Sequence, residues 1–427
     1  MKKQKVAVIG AGISGLTVAQ LLKDKYHVTV YEKDDKPGGL IKCDRINGSL
    51  FHTCGGHVLN SKYPDVIEWI KQFVDFDKEY VKADRNSCIV FGDDSYVPYP
   101  IENHVYLLPK YLQFRCIEDF LSIAKERYSI YNNFEDFLRK RFGDTLFELY
   151  FEPYNKKVWG CPLKEIPMSW LEEKLPMPTV TEMIFNNINH IEEKNFVHST
   201  FWYPKQGGSQ FFANRLATGV EVKYGKSIDK LKCSKGVWHV DSKDFDIVVF
   251  CGNIKQLPIC VEGVDIPPYK NRIDALLYHG TTTVFCEIEK NLYSWMYLPS
   301  SEYDSHRIIC TGNFSETNNA HGKMTGTVEF TDKVSLSVIK DHLQKMPFSP
   351  RYITHKYNTY TYPIQTSDTR KMVDNLKEMM RKNNFYFTGR FADWEYYNMD
   401  TAIKAAMILC NNCLLYTSPS PRDGLLS

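Results

Sequence analysis

KVAVIGAGISGLTVAQLL at residues 5–22, followed by HVTVYE at residues 27–32, decides the fold. Lys5 to Ile9 is a short apolar run. Gly10-Ala-Gly12-Ile-Ser-Gly15 then opens an apolar stretch that reaches about Leu22, and His27 to Glu32 alternates toward a second apolar run. Read in order these are a strand, a glycine turn, a helix and a strand, the opening of a βαβ unit. Gly10 permits the tight turn, Gly12 lets the backbone approach a pyrophosphate, and Gly15 lets the helix pack closely. The helix N-terminus offers free N–H groups and the positive end of its dipole to phosphates. Glu32 can accept both hydroxyl hydrogens of a ribose and repels a 2′-phosphate. The N-terminal stretch therefore predicts a dinucleotide-binding domain.

The rest of the chain sets the frame around it. Its 427 residues suit two or three domains, and 43% hydrophobic with 24% charged residues is ordinary for a soluble globular protein. With 53 basic against 51 acidic residues, the formal charge of +2 argues against a nucleic-acid or anionic-membrane partner. No secretory signal fits before Gly10 and no run of about 18 apolar residues appears, so a cytoplasmic protein without a membrane span is expected. The 12 cysteines lie singly between Cys43 and Cys413, apart from a lone C-x-x-C at Cys410 and Cys413. That spacing predicts reduced, structural thiols and no metal site. The 27 Tyr and 25 Phe serve core packing or a site that stacks flat rings and donates phenol hydrogen bonds.

Val66, Trp69, Ile70 and Phe73 share one helical face, and residues of about 105–200 read mainly as amphipathic helix broken at Pro153, Pro162, Pro167 and Pro176. Short strands follow at Val237–Val240 and Ile247–Phe250, and residues of about 275–330 alternate as antiparallel strands do. A helix from about Lys371 to Arg381, the run Phe385–Arg390 and a helix from about Asp400 complete the pattern. The expected fold is α/β. A discontinuous Rossmann-type FAD-binding domain (residues 1–75, 200–265 and 385–413) carries an inserted, mainly helical cap (76–199) and an antiparallel-sheet substrate domain (266–384). Residues 414–427 carry two Ser-Pro pairs and no amphipathic period; they read as a disordered, non-native tail.

Further motifs narrow the chemistry. Lys36-Pro-Gly38-Gly39-Leu40 follows Glu32 closely. This extension resembles the FAD fingerprint of the amine oxidase, protoporphyrinogen oxidase and UDP-galactopyranose mutase superfamily, and makes FAD the expected dinucleotide. Phe51-His-Thr-Cys-Gly55-Gly56-His57 resembles the histidine loop of the UDP-galactopyranose mutases, where such a segment lies against the flavin ring; paired glycines allow that approach. Arg85-Asn-Ser87, Val97-Pro-Tyr99-Pro100, Pro153-Tyr154-Asn155-x-Lys157-Val158-Trp159, Tyr203-Pro204-x-x-Gly207-Gly208, Trp295-x-Tyr297-x-Pro299, Tyr362-Pro363 and Gly389-Arg390-Phe391-x-x-Trp394-x-Tyr396-Tyr397-x-Met399 continue the resemblance to that family over about residues 4–412.

The resemblance implies an enzyme that interconverts pyranose and furanose forms of a nucleotide sugar. Reduced flavin acts as nucleophile toward the anomeric carbon and the diphosphate departs and returns, without net redox change. NAD(P)H is a candidate reductant. By family position, His57, Tyr362, Tyr396 and Lys174 are catalytic candidates, and Arg390 and Met399 join the glycines and Glu32 around the cofactor. Arg85, Tyr99, Asn155, Trp159 and Arg307 face a nucleotide-sugar substrate. The chain also departs from the family. The two arginines that clamp the diphosphate are expected at Lys174 and near Glu289, and a glutamine of the family is Glu102 here. A lysine lacks the bidentate fork and a carboxylate repels phosphate, so the clamp is expected to be weakened, with Arg85 and Arg307 as candidate replacements. The alternative expectation is an FAD-dependent oxidoreductase of the amine or protoporphyrinogen oxidase type.

Overall fold

In the computed structural model, which describes residues 3–92, 95–126, 130–168, 178–191, 200–320 and 322–415, the strand Lys5–Ile9 lies at the centre of a five-stranded sheet. Across that sheet run Phe385–Phe387, Ile247–Phe250, Lys5–Ile9, His27–Tyr31 and Glu221–Lys223. Every neighbouring pair is parallel. Both faces of the sheet are covered, so Val6, Ala7 and Val8 are fully buried, which is why these strands read as unbroken apolar runs. The helix Ile13–Leu22 shares a core with Ile403 and Ala406 of the helix Met399–Leu409. It is buried almost all round, hence its lack of a polar face. The strands come from three separate stretches of chain, as a discontinuous Rossmann-type domain requires.

A second sheet has seven strands in the order Arg351–Ile364, Leu277–Ile288, Met324–Thr331, Arg307–Ile309, Trp295–Tyr297, Ser87–Val90 and Tyr96–Pro98. It is antiparallel except where Trp295–Tyr297 lies parallel to Ser87–Val90. Here the structure refines the sequence reading. The segment expected to be mainly helical begins with three strands, Tyr80–Asp84, Ser87–Val90 and Tyr96–Pro98, and two of them extend the substrate sheet. Strands of three to five residues are too short to show a clear period beside long helical patterns. As a result Arg85 and Tyr99 flank strands of the seven-stranded sheet.

The helices Lys110–Glu126, Phe134–Phe142, Glu152–Trp159 and Val180–Asn189 pack around Phe120, Phe134, Phe137, Phe142 and Phe147, an aromatic core continuous with Tyr297 and Tyr362 of the sheet. The helix starting at Pro64 ends at Ile70; Phe73 lies beyond it, its ring 4.7 Å from that of Trp69. At the other end Leu414 is buried, and its carbonyl accepts the Tyr26 hydroxyl at 2.5 Å, so the packed chain runs one residue past the expected boundary at 413. Residues 416–427 lie outside the described residues. All 12 cysteines are free. Among the described residues no helix is long and apolar enough to cross a membrane, and no group of His, Cys, Asp and Glu is arranged to hold a metal ion.

Candidate active site

The first glycine turn is held from both strands. The Gly10 N–H donates to the Tyr31 carbonyl at 2.8 Å, and Gly10 has φ +103°, a conformation that favours glycine. A Cβ at Gly15 would sit 2.0 Å from the Gly10 carbonyl oxygen, so only glycine fits there. Gly12 differs: its Cβ would meet nothing nearer than the Gly39 Cα at 4.0 Å. Gly38 N–H donates to the Ala11 carbonyl at 2.8 Å and so brings the second glycine pair opposite the first. Two backbone turns thus face each other with no side chain between them, as a pyrophosphate requires. Glu32 is buried. Its carboxylate accepts the Ala11 N–H at 2.7 Å and the Asp34 N–H at 3.1 Å, with the Lys42 ammonium 3.9 Å away. Glu32 therefore braces the glycine turn, and a carboxylate's about four acceptor directions leave room for a ribose.

The histidine loop is anchored by two buried side chains. Gly55 N–H donates to Glu329 Oε1 at 2.7 Å, and His57 N–H donates to His52 Nδ1 at 3.3 Å. His52 Nε2 in turn lies 2.7 Å from the Tyr203 hydroxyl, which accepts the Asn318 amide at 3.1 Å. Because His52 Nδ1 accepts, its proton belongs on Nε2 and is donated to Tyr203. His57 Nε2 is buried and has no hydrogen-bond partner, an unsatisfied group of the kind that a bound molecule completes. Desolvation, then the positive charge of Arg390, pushes the His57 imidazole down to about 4 despite Glu329, so it is neutral at pH 7.

Arginines and phenols gather beside this loop. Arg307 Nε donates to Glu329 Oε2 at 2.5 Å and its Nη2 to the Tyr362 hydroxyl at 3.2 Å. Tyr362 and Tyr396 stack with centroids 5.5 Å apart, and the Trp159 ring meets both edge-on at 5.7 and 5.8 Å. Arg85 Nη2 donates to the Tyr297 hydroxyl at 2.6 Å while its guanidinium lies 4.7 Å over the Trp295 ring. Tyr297 is the cross-strand partner of Arg307 and touches Tyr99 and Tyr154 edge-on at 5.1 and 5.2 Å. Each of the two cations thereby donates to a tyrosine hydroxyl, Arg85 to Tyr297 and Arg307 to Tyr362. Desolvation holds the Tyr362 and Tyr154 phenols well above their usual range, against the pull of Arg307, so both remain proton donors. Asn155 receives the Trp159 indole N–H at 3.2 Å and fixes that ring on its helix.

Most of the residues singled out in the sequence meet in this region. Arg390 spends its guanidinium on the carbonyls of Tyr397 (3.0 and 2.5 Å) and Thr361 (3.1 Å), with its carbon 4.8 Å from the Tyr396 ring; it braces the tyrosine pair. Met399 begins the last helix. Lys174 lies outside the described residues. The expectation for Glu289 is corrected. Glu289 is exposed, just past the end of Leu277–Ile288, whereas Thr283 of that strand pairs with Glu329. Six residues separate the two positions, about 20 Å, so the Glu289 carboxylate does not face this site. Glu329, Tyr154 and Tyr297 were not assigned from the sequence. Tyr154 and Tyr297 stand inside motifs that were read, but a lone Glu in an apolar strand carries no signal of its own beyond being an ion where burial is expected.

Comparisons with known proteins fit this arrangement. Residues 8–73 match the family described as NAD(P)-binding Rossmann-like domain. The chain is 23% identical to dTDP-fucopyranose mutase of Escherichia coli over 94% of its own length and 96% of that protein. It is 22% identical to UDP-galactopyranose mutase of Mycoplasma genitalium, covering 93% and 92%. The crystal structure of reduced UDP-galactopyranose mutase superposes with a TM-score of 0.86 at 20% identity over 98% of this chain and 95% of that one. Over nearly its whole length the chain is thus a relative of the sugar-nucleotide mutases in sequence and is built on their Rossmann-containing fold.

Proposed function

We propose that the protein is an FAD-dependent mutase that interconverts the pyranose and furanose forms of a nucleotide-activated sugar. The observation that carries this reading is the pair Arg85 and Arg307, brought together by the cross-strand pairing of Tyr297 with Arg307, bonded to the hydroxyls of Tyr297 and Tyr362, and tied through Glu329 to the loop that ends at His57. A departing diphosphate needs fixed cations and phenol donors in a partly dry site. The turns at Gly10–Gly15 and Gly38–Gly39 hold the pyrophosphate of FAD, Glu32 its ribose, and Gly55–His57 the ring; the cofactor when bound supplies a nucleophile for the anomeric carbon.

The chain's own residues bind, orient and exclude water. Arg307 keeps its Nε on Glu329 and presents its Nη atoms with the Tyr362 hydroxyl to the diphosphate. Arg85 does the same with Tyr297. Trp159, Tyr362 and Tyr396 form an apolar wall for the sugar, and Asn155 sets the angle of the indole. The test is incubation of holoenzyme, reduced by dithionite in one series and by NADPH in a parallel one, with UDP-galactopyranose and with dTDP-fucopyranose, followed by separation of the furanose forms. Furanose formed without stoichiometric NADPH consumption supports the reading. NADPH consumption that neither sugar changes, with no furanose, replaces it with an oxidoreductase. Lys174→Arg belongs in the same series: a rise in turnover makes residue 174 part of the diphosphate site.

A further inference from the structure

The two oxygens of the Glu329 carboxylate serve two different segments of the site. Its side chain is completely buried in the strand Met324–Thr331. One oxygen takes the N–H of Gly55, at the foot of the histidine loop; the other takes Nε of Arg307 on the neighbouring strand. His306 Nε2 lies 3.7 Å from that second oxygen. Gly55 and Glu329 are 274 residues apart in sequence, so the bond is wholly a product of the fold. The geometry points to Glu329 as a positioning residue that couples the flavin-side loop to the substrate-side cation, and this rests on the mutase reading above.

The physical argument is one of shared, directional bonds. A buried carboxylate that gives up either partner keeps its charge and loses the group that compensated it, which is costly, so the two bonds stand or fall together. Shift the guanidinium, and the carboxylate follows; shift the carboxylate, and the Gly55 N–H follows with the loop that carries His57. Coupling of this kind is reciprocal: a change at the cation is felt at the flavin by the same factor as the reverse. Glutamine has the size of glutamate but can serve only one partner, because its NH2 would face the Arg307 N–H donor to donor.

The experiment uses FAD-loaded protein and two readouts: the flavin reduction potential by dye equilibration, and the affinity for UDP by titration. Arg307→Lys keeps the charge but loses the Nε–H that holds Glu329 while Nη2 holds Tyr362. It is expected to weaken UDP binding at least tenfold. It is also expected to change the oxidised-to-reduced flavin ratio at fixed poise about tenfold, which is about 30 mV for a two-electron couple. In the Glu329→Gln background the same arginine change is expected to leave the potential where Glu329→Gln alone puts it. A wild-type potential in Arg307→Lys overturns the coupling, as does an Arg307→Lys shift of equal size with and without Glu329. Where Glu329→Gln does not fold, Arg307→Lys alone decides, since it leaves the buried carboxylate in place. A wild type that binds no UDP counts against the mutase reading, while the potential still reads the coupling.

Discussion

At the scale of single residues, the two glycines of the first turn separate folding from cofactor binding. Gly15 faces the Gly10 carbonyl so closely that any Cβ must move backbone, whereas Gly12 faces open space. Gly15→Ala is therefore expected to lower the melting temperature sharply. Gly12→Val is expected to leave a folded, colourless protein, because its side chain fills the place of the pyrophosphate. Visible absorbance and thermal melts of the two variants check this; flavin at full occupancy in Gly12→Val would refute the placement of the cofactor. His57 supplies a second prediction. Its Nε2 is without a partner and its loop hangs on Glu329 and His52, away from the phosphate turns. His57→Ala is expected to alter the flavin's potential or rate of reduction by more than it alters FAD affinity. Equal kinetics and potential in the variant would reduce His57 to packing.

At the scale of elements, one lysine ties a helix to a hairpin. Lys157, on the helix Glu152–Trp159, donates to the carbonyls of Leu298, Ser300 and Tyr303 at 2.8, 2.6 and 2.5 Å. Those carbonyls belong to the turn between Tyr297 and Arg307, so the helix that carries Asn155 and Trp159 is fastened to the strands that carry the second cation. Lys157→Met removes a donor from all three carbonyls, that of Ser300 keeping the Tyr303 N–H at 3.2 Å, and is expected to cost roughly 2–4 kcal/mol of stability. UDP affinity is expected to fall with it, as Arg307 loses its support, and Lys157→Arg is expected to recover part of both. Urea denaturation and UDP titration measure the two effects. Wild-type stability in Lys157→Met would show that the turn holds itself.

At the scale of the whole molecule, buried imidazoles set the response to acid. Desolvation, reinforced by His57, pushes His52 down to about 3; desolvation, partly opposed by Glu329, pushes His306 down to about 4. Both are neutral in the fold and take up a proton on unfolding below the ordinary imidazole value near 6.5. A depressed folded value means that the stabilisation is complete above about pH 6.5 and is lost as pH falls through the folded values. His57, held down to about 4 by the same desolvation, adds a third site, so between about pH 6 and pH 4 the unfolded chain binds up to three more protons through these imidazoles, a slope of up to about 4 kcal/mol per pH unit. Urea midpoints at pH 7.5, 6.0 and 5.0 give that slope, and His52→Gln is expected to reduce it by about one proton. A flat profile from pH 7.5 to 5.0 would mean that these imidazoles are already charged in the fold.

What the sequence determined by itself was local. Lys5–Ile9, the glycine turn and Glu32 lie within one short stretch, and each residue's task follows from backbone sterics and helix-end electrostatics that need no distant partner. The cradle was legible for that reason, and so was the aromatic richness of the substrate side. The site's polar wiring was decided only in three dimensions. Arg307 sits 22 residues from Glu329 and Glu329 sits 274 from Gly55; Arg85 meets Tyr297 across 212. Strand register set Arg307 opposite Glu329, and the packing of loops onto that sheet brought Gly55 and Arg85 to their partners; register depends on the whole face of a sheet being buried, not on any one residue. The same fact explains the misplacement of Glu289: residues that alternate along Leu277–Ile288 look alike in sequence, and only the pairing of Thr283 with Glu329 says which end of the strand faces the site. A side chain's chemistry is written in the chain, but the partner that makes it functional is chosen by how the sheets pack.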